Sequence, residues 1–514
     1  MGPVPSKPSS WERDYKELLA KHRALELDTS RQRSKRPFFT DVPESQRDDP
    51  PPYVPVSGNI SLSIETIKEW EHKLLEDPKN RLALAALSSN APASILTSPS
   101  TIIGDGQLFN VKIPLEGSPI TNQRSSGRCW IFASTNVFRV ALMRRYSLKE
   151  FELSQAYLFY WDKIEKANYF LEQILDTVAE ELDGRLVQSL LSSPVGDGGQ
   201  WDMVASLVSK YGLVPQSLYP DSFNAMNSRA MDGLITTKLR EDGLELRRLA
   251  SKLDSASFKS SLATTKQKML KEIHLILTLA LGPPPAPEEE LLWEFTDKND
   301  KFHRMDITPL RLAQELSKPE AIRACAGSDV HQLFSLVNDP RNPYGELLGI
   351  SRLGNVVGGR KVTYVNVDMT TMKTACIAML RKGLPVFFGC DVGKLSDSSR
   401  GIMDLDLIDY ELGFNVRLGM TKEQRLQTGE SAMTHAMCLT GVNLVDGRST
   451  RWRVQNSWGS AAGTDGFFVM SDRWMDEFTY QAVVDPSFVS KDVRDVLLKE
   501  PKMLPLWDPM GALA

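Results

Sequence analysis

The sequence predicts an α+β fold in which helical segments precede β-strands along the chain. Up to about residue 281, apolar residues recur mostly at helical spacing, as in the segment that begins at Cys129. From residue 357 onwards, short β-like runs separated by turns replace this pattern. The runs cover residues 362–367, 385–392, 436–445, 452–455 and 466–471. Because helices and strands are segregated, the pattern argues against a repeating βαβ sheet.

These changes divide the chain into four predicted regions. Residues 1–58 are expected to be a largely disordered extension, since their proline run favours an extended linker. Residues 59–281 form a helical lobe, and the run Gly282-Pro283-Pro284-Pro285 opens an inserted helical or linker region over 282–356. Residues 357–514 form a β-rich lobe that ends in a C-terminal arm.

Composition and charge narrow the class of protein. The 514 residues carry a formal charge of −4 with a pI near 6.0, which gives no overall attraction to nucleic acid or anionic membranes. No apolar run reaches the roughly 18 residues that a membrane span needs. The N-terminus lacks the apolar segment of a signal peptide, and its acidic residues argue against a transit peptide. We therefore expect a soluble cytoplasmic protein, with a mitochondrial pool as the lesser alternative.

The cysteines indicate thiols rather than disulfides or a metal site. There are five, widely spaced and without a CxxC pair: Cys129, Cys325, Cys376, Cys390 and Cys438. This number is too sparse for a disulfide framework and does not match zinc-ligand spacing. We expect reduced thiols, four of them in the core, and neither a metal nor a cofactor.

Cys129 is the candidate nucleophile. It follows a polar turn and begins an apolar helix, and the free N–H groups of a helix N-terminus favour the thiolate. Gln123 lies six residues earlier, where its side-chain amide can fold back as an oxyanion donor. Trp130 follows the cysteine directly.

His435 and Asn456 are the candidate base and its orienting group. His435 opens one β-like run, and Asn456 ends the next run as the first residue of Asn456-Ser457-Trp458-Gly459. Imidazole titrates near neutral pH, and an asparagine carbonyl can accept a hydrogen bond from one ring nitrogen. Two antiparallel strands can bring the pair together, with the indole of Trp458 shielding the bond from water.

Each of these residues alone has an ordinary structural explanation. A buried cysteine is usually inert, a single histidine is usually structural, and an asparagine in a turn is usually a local cap. The combination of Gln-x5-Cys-Trp with a later His and Asn-Ser-Trp-Gly does not arise readily from composition. The joint pattern therefore favours a cysteine peptidase site.

The pattern resembles the papain family, in which Cys, His and Asn occur in this order. The chain departs from that family in two ways. Ser126-Gly127-Arg128-Cys129 lacks the first cysteine of the family signature, so a structural disulfide is absent, which suits a reducing compartment. The separation between Cys129 and His435 is about twice the usual ~130–150 residues, which indicates a large insertion.

Further segments resemble the bleomycin hydrolase branch of that family over about residues 60–514. They are Asp197–Met203, Gly282–Pro284, Trp293–Lys298, Phe387–Lys394, Gly401–Asp404, Met433–Met437 and Pro509–Ala514. The resemblance implies a papain-like two-lobed fold, a helical lobe plus a β-barrel-like lobe, with large insertions and a C-terminal arm. It also implies a cytosolic aminopeptidase that assembles as a homohexamer and acts on peptides with a free N-terminus, on bleomycin and on homocysteine thiolactone.

The resemblance also assigns substrate-binding residues. The carboxylate of Ala514 would pair with the substrate ammonium, and Gly198 and Gly199 would let the substrate backbone approach closely. The alternatives are a frayed C-terminus, which would favour an endopeptidase, and a simple tight turn at the two glycines. Relatives in this branch often carry one further residue after Ala514, so the C-terminus is either native or trimmed.

A non-catalytic nucleic-acid-binding or scaffold ring is the alternative from another class of function. Its basis is the basic cluster between Arg31 and Arg36, which is otherwise interpreted as a solvated charged linker. The intact set of Gln123, Cys129, His435 and Asn456 makes such binding secondary at most.

Overall fold

The structure, a computed structural model, describes residues 62–251, 256–317 and 332–513. The side chains of residues 256–260 are not among those described. The predicted extension 1–58 with its basic cluster, the thiol of Cys325 and the carboxylate of Ala514 all lie outside the described residues.

The first of two compact units ends at Ile95 and confirms the helical pattern that follows the N-terminal extension. Its helices are α1 (Ile64–Glu76), α2 (Pro78–Leu87) and α3 (Pro92–Ile95). The Ser63 hydroxyl caps α1 by accepting the Thr66 N–H at 3.1 Å. Asp77 caps α2, and Pro78 occupies its first turn, where a missing N–H costs nothing.

The second unit begins at Leu96, and its first half is mainly helical. The helices are α4 (Pro99–Gly104), α5 (Cys129–Tyr146), α6 (Gln155–Asp176), α7 (Arg185–Ser192), α8 (Trp201–Tyr211), α9 (Phe223–Met226), α10 (Arg229–Ala250) and α11 (Ala256–Leu281). Helix α5 is buried from Cys129 through Met143, so it lies inside the core with no solvent face over that length. Helix α11 ends directly before the predicted break at Gly282.

The segment 282–356 contains strands where the sequence suggested helix or linker. Strands β2 (Leu291–Thr296) and β3 (Phe302–Ile307) form an antiparallel hairpin, followed by α12 (Pro309–Gln314), β4 (Phe334–Val337) and β5 (Leu347–Ile350). Trp293 is buried against the ring of Tyr146 at a centroid distance of 5.3 Å, whereas its neighbours in β2 are more exposed. This two-residue alternation is the β signal that the adjacent prolines obscured. The boundaries of the four regions stay a prediction.

Among the described residues of the unit, twelve strands form one large sheet, most of it in the second half. Its remaining strands are β1 (Val111–Lys112), β6 (Thr363–Asn366), β7 (Val386–Cys390), β8 (Ser396–Asp397), β9 (Ile402–Met403), β10 (His435–Val445), β11 (Arg448–Gln455), β12 (Phe467–Ser471), β13 (Thr479–Val484) and β14 (Lys502–Leu504). The order is β14-β5-β6-β4-β13-β7-β10-β11-β12-β9-β8, and β1 also pairs with β10. The five predicted strands correspond to β6, β7, β10, β11 and β12.

Five α-helices accompany these strands between residues 357 and 513. They are α13 (Met369–Arg381), α14 (Tyr410–Phe414), α15 (Lys422–Thr428), α16 (Asp472–Phe478) and α17 (Lys491–Asp495). None of the helices within the described ranges is both long and apolar enough to cross a bilayer.

The sheet register positions the candidate catalytic residues. Strand β10 runs antiparallel between β7 and β11, with His435 opposite Cys390 and Cys438 opposite Gln455. His435 therefore begins β10 at the edge of the sheet where β11 ends and Asn456 follows. Helix α5 packs on the same strand, where the Cys438 thiol donates to the carbonyl of Ala133 at 3.1 Å.

Candidate active site

Cys129 lies at the point where α5 meets the start of β10. It is the first residue of α5, and only 2% of its surface is exposed. Burial raises the pKa of its thiol to about 11, although the backbone N–H groups of Ala436, Trp130 and Cys129 itself favour the thiolate. Ala436 directly follows His435, so the structure brings the sulfur from the helical half to the first residues of β10.

His435 is held by Asn456, as the sequence predicted. The two side chains are 2.9 Å apart between Nε2 and Oδ1. Asn456 Oδ1 also accepts the Ser457 N–H at 2.8 Å, which fixes it as an acceptor and assigns the proton to His435 Nε2. Nδ1 is then left as the basic nitrogen. Burial lowers the pKa of His435 to about 4, against the opposing effect of the Asn456 hydrogen bond.

Trp458 covers this pair. Its ring lies 4.8 Å from the imidazole between centroids, at an interplanar angle of 33°. An indole in this position limits access of water to the His435–Asn456 bond, and a hydrogen bond is stronger where water is excluded. The predicted shielding contact is therefore present.

Gln123 links the loop before α5 to the loop after β11. Its Oε1 accepts the Ser457 hydroxyl at 2.7 Å, and its Nε2 donates to the Ser126 carbonyl at 2.7 Å. Its backbone N–H also donates to the Ser457 carbonyl at 2.8 Å. Because an amide NH₂ carries two hydrogens, one remains for an oxyanion. Ser457 was not among the predicted site residues, and its only signal in the sequence is its place in the Asn-Ser-Trp-Gly run.

Gly198 and Gly199 lie in a loop packed against Trp130. The Trp130 indole donates to the Asp197 carbonyl at 2.7 Å. A Cβ on Gly199 would lie 2.5 Å from the Trp130 ring, so no other residue fits there without movement. The Gly198 carbonyl accepts a bond from Lys166 at 2.7 Å. These contacts explain the glycines structurally, and their substrate-binding role stays a prediction.

The C-terminal arm reaches the same loop. Strand β14 pairs in parallel with β5, and Met510 is buried beyond it. Gln200 Nε2 then donates to the Ala512 carbonyl at 2.7 Å. The described part of the arm thus contacts the residue that follows Gly199, while Ala514 itself lies outside the described residues.

The other described cysteines belong to the core. Cys376, Cys390 and Cys438 are buried free thiols, as predicted. Over residues 62–251, 256–317 and 332–513, no group of three or more His, Cys, Asp or Glu side chains is placed to hold a metal ion.

A buried cysteine at a helix N-terminus, next to a strand that presents an asparagine-bound histidine, is the arrangement of papain-like cysteine peptidases. A family model described as the Peptidase C1-like family matches residues 61–511, and the chain belongs to this family.

Individual relatives agree with this assignment. The chain is 42% identical over 464 residues to "Cysteine proteinase 1, mitochondrial" of Saccharomyces cerevisiae, which covers 88% of this chain and 93% of the relative. It is 41% identical over 466 residues to "Bleomycin hydrolase" of Rattus norvegicus, covering 89% and 100% respectively. A crystal structure of PepW from Lactobacillus rhamnosis superposes with a TM-score of 0.83 at 38% identity, covering 88% of this chain and 100% of that one. The predicted papain-like α+β fold and the resemblance to bleomycin hydrolases are confirmed, and the chain is a cysteine peptidase.

Because His435 is buried in its neutral form, we expect the folded protein to lose stability at acidic pH. Its folded pKa of about 4 lies below the ordinary 6.5, so the unfolded chain binds the proton more readily between these values. Stability from the neutral imidazole is fully present above pH 6.5 and falls as the pH drops towards 4. Between pH 7.5 and 4.5, the free energy of unfolding of the native chain should fall about 2 kcal/mol more than that of His435→Gln, which has no group to titrate there. Urea unfolding of both proteins at the two pH values measures the difference, and equal losses would contradict the prediction.

Proposed function

We propose that this chain is a cysteine-type aminopeptidase in which Cys129 is the nucleophile and His435 is its base. The observation that carries the proposal is the 2.9 Å contact between His435 Nε2 and Asn456 Oδ1 at the start of β10. At the same place the N–H of Ala436 favours the Cys129 thiolate. An oriented imidazole beside a helix-terminal thiol supports acyl transfer to sulfur.

The reaction begins with transfer of the thiol proton from Cys129 to His435 Nδ1. Burial disfavours either charge alone, but the transfer creates thiolate and imidazolium together, and their attraction offsets the loss of hydration. The thiolate then forms a C–S bond with the scissile carbonyl carbon, and the C=O electron pair moves to the oxygen. Gln123 Nε2 and the unpaired N–H groups at the start of α5 stabilise this oxyanion.

Collapse of the tetrahedral intermediate completes the cycle. The imidazolium of His435 donates its proton to the leaving amine as the C–N bond breaks. A water molecule, deprotonated by His435, then attacks the thioester, releases the amino acid and regenerates the thiol. Asn456 keeps the ring oriented through both half-reactions, because its Oδ1 also holds the N–H of Ser457.

The C-terminal arm supports cleavage from the N-terminus of a peptide. The contact between Gln200 and Ala512, two residues before Ala514, brings the arm to the loop of Gly198 and Gly199. A terminal carboxylate on Ala514 would pair with the substrate ammonium and block the cleft beyond it. A substrate without that ammonium would leave the carboxylate desolvated and unpaired, which discriminates against N-blocked peptides.

We also propose the substrates, the oligomeric state and the location in the cell that the resemblance to bleomycin hydrolases implies. The rat relative is named for bleomycin, so we include its amide as a substrate, with homocysteine thiolactone as a second small substrate. We also propose a homohexamer located in the cytoplasm, with a mitochondrial pool suggested by the name of the yeast relative. Nucleic-acid binding by Arg31–Arg36 lies outside the described residues and stays a prediction, whose mark would be a strong salt dependence.

A comparison of free and N-acetylated amino acid amides tests the proposal. The full chain should prefer the free amine by about 100-fold in kcat/KM, and a chain ending at Gly511 should cleave the acetylated substrate at least about 10-fold faster than the full chain. Ala512→Gly is the matched control, because it keeps the main-chain carbonyl that Gln200 binds. Equal rates on both substrates with the full chain would reject an aminopeptidase in favour of an endopeptidase.

A further inference from the structure

Two buried lysines lie beneath the loop of residues 195–199. Both are on α6, and their side chains are 0% and 6% exposed. Lys163 Nζ donates to the Val195 carbonyl at 2.5 Å. Lys166 Nζ donates to the carbonyls of Gly196 and Gly198, each at 2.7 Å. The two ammonium groups thus fix the main chain of the loop from one side.

Asp197 connects this loop to the start of α5. Its Oδ1 accepts from Lys163 at 2.6 Å, while its Oδ2 accepts the backbone N–H of Gly127 at 2.8 Å. Its own carbonyl accepts the indole N–H of Trp130. Gly127 and Trp130 lie on either side of Cys129 in the chain, so one residue holds both flanks of the nucleophile.

The turn that leads into Cys129 lacks the first cysteine of the papain-family signature. Ser126 occupies the position where the family signature has its first cysteine. The Ser126 hydroxyl instead donates to the Gln123 carbonyl at 2.7 Å and accepts from Arg128 at 2.9 Å. Hydrogen bonds therefore hold this turn, those of Ser126 within it and that of Asp197 from the neighbouring loop.

The surrounding charges keep Asp197 ionised. Lys163 also contacts Asp232 at 2.7 Å, and Lys166 contacts Asp162 at 2.6 Å. Burial opposes the charge of Asp197, but Lys163, Asp232 and Ser228 outweigh it and hold the pKa of Asp197 well below its usual range. Burial raises the pKa of Asp232 to about 7, and the nearby Asp197 adds to this rise. Of the two carboxylates that contact Lys163, Asp197 rather than Asp232 therefore carries the negative charge.

The field of Asp197 does not activate the thiol. Its negative charge adds to the burial that raises the pKa of Cys129. An electrostatic benefit to the nucleophile therefore fails to explain why a partly buried carboxylate is present here. Geometry supplies the explanation, since the bond to Gly127 sets the position of the turn that leads into Cys129.

We propose that Asp197 is a positioning residue for the peptidase reaction, acting through the hydrogen bonds that tie the loop of residues 195–199 to the start of α5. By holding Gly127 and Trp130, it fixes Cys129 and the N–H groups at the start of α5 relative to His435. This inference rests on the proposed function of Cys129 as the nucleophile.

Asp197→Asn in the full-length chain tests the inference. The amide is isosteric but loses the charge-assisted bonds to Lys163 and Gly127, so the start of α5 should shift. We expect kcat for a free amino acid amide, per active site titrated with iodoacetamide, to fall about 10- to 100-fold with KM within about 2-fold, since small misplacements of reacting groups have effects of this size. The pH midpoint of Cys129 alkylation should stay or fall, because a negative charge is removed. A loss of kcat without a rise in that midpoint separates positioning from thiol activation.

A second variant and a matched control complete the test. Ser228→Ala removes only the 2.5 Å hydroxyl bond to Asp197 Oδ2 and should lower kcat per site about 2- to 5-fold, which decides the question if Asp197→Asn does not fold. Asp242→Asn alters another buried carboxylate paired with a lysine, Lys238 at 2.9 Å, and should leave kcat unchanged. Unchanged kcat per titrated site in the Asp197 variant, or in Ser228→Ala where that variant does not fold, overturns the inference. Retained activity in Cys129→Ala would overturn the proposed function instead.

Discussion

Replacing Cys129 with alanine is expected to reduce kcat/KM for amino acid amides by at least about 10⁴-fold while the protein remains folded. The sulfur is the only protein atom that forms a covalent bond to the substrate in the proposed mechanism, so its removal leaves binding and oxyanion stabilisation but no acyl transfer. The side chain is buried at the head of α5, and alanine fits its place without a clash. Initial rates on a fluorogenic amino acid amide, together with the thermal midpoint, measure both parts of the prediction.

Cys376→Ala is the matched control for this variant. Cys376 is also a buried free thiol, but it lies on α13 and not on α5 or β10, which carry Cys129 and His435. Its replacement should lower stability modestly and leave turnover per folded molecule unchanged. If Cys129→Ala retained a substantial fraction of native turnover, the thiolate mechanism would have to be abandoned.

The pairing of His435 with Asn456 could be predicted from the sequence because it depends on neighbouring strands. The turn at Asp446-Gly447 joins β10 to β11, so the start of one strand and the end of the next lie side by side. The chemistry then limits which residue types serve as nucleophile, base and orienting group. Cys129 could be predicted as the nucleophile because a cysteine directly before a long apolar run marks a helix N-terminus, where a thiolate is favoured.

The residues that support this set could not be predicted in the same way. Ser457 acts through Gln123, which is remote in sequence, and nothing local marks its hydroxyl for that contact. In the sequence, Lys163 and Lys166 look like ordinary residues of the polar face of a helix. Their contacts with residues 195–199 arise only in the folded protein. Contacts of this kind depend on tertiary packing, which motifs and periodicity do not encode.

The strands that were missed have a different explanation. Strands β4 and β5 are short and buried at every residue, so they lack the alternation that distinguishes a strand from a piece of buried helix. The hairpin of β2 and β3 follows a proline-rich break and carries charged residues on its outer face. Such a segment resembles a polar linker until the contact of Trp293 with Tyr146 is known.

Gln123→Ala is expected to lower kcat by about 10²- to 10³-fold with little change in KM, the effect of removing one oxyanion donor. The structure makes this substitution selective. The side-chain bonds to Ser126 and Ser457 are lost, but the backbone N–H of Gln123 still donates to the Ser457 carbonyl and holds the loop before α5. The loss therefore falls on the amide donor, which acts only when the carbonyl oxygen becomes negative. Steady-state kinetics that separate kcat from KM provide the measurement.

Ser457→Ala distinguishes orientation of that amide from its presence. The hydroxyl of Ser457 holds Oε1 of Gln123 at 2.7 Å and so directs Nε2 towards the start of α5. Without it the amide remains but can rotate, and we expect an intermediate loss of about 10-fold in kcat. If the amide donor must be both present and correctly oriented, kcat should decrease in the order native protein, Ser457→Ala, Gln123→Ala. A fall in kcat/KM that came entirely from a higher KM would instead make Gln123 a residue that binds substrate and transition state equally, because an interaction formed only with the oxyanion cannot strengthen the ground-state complex.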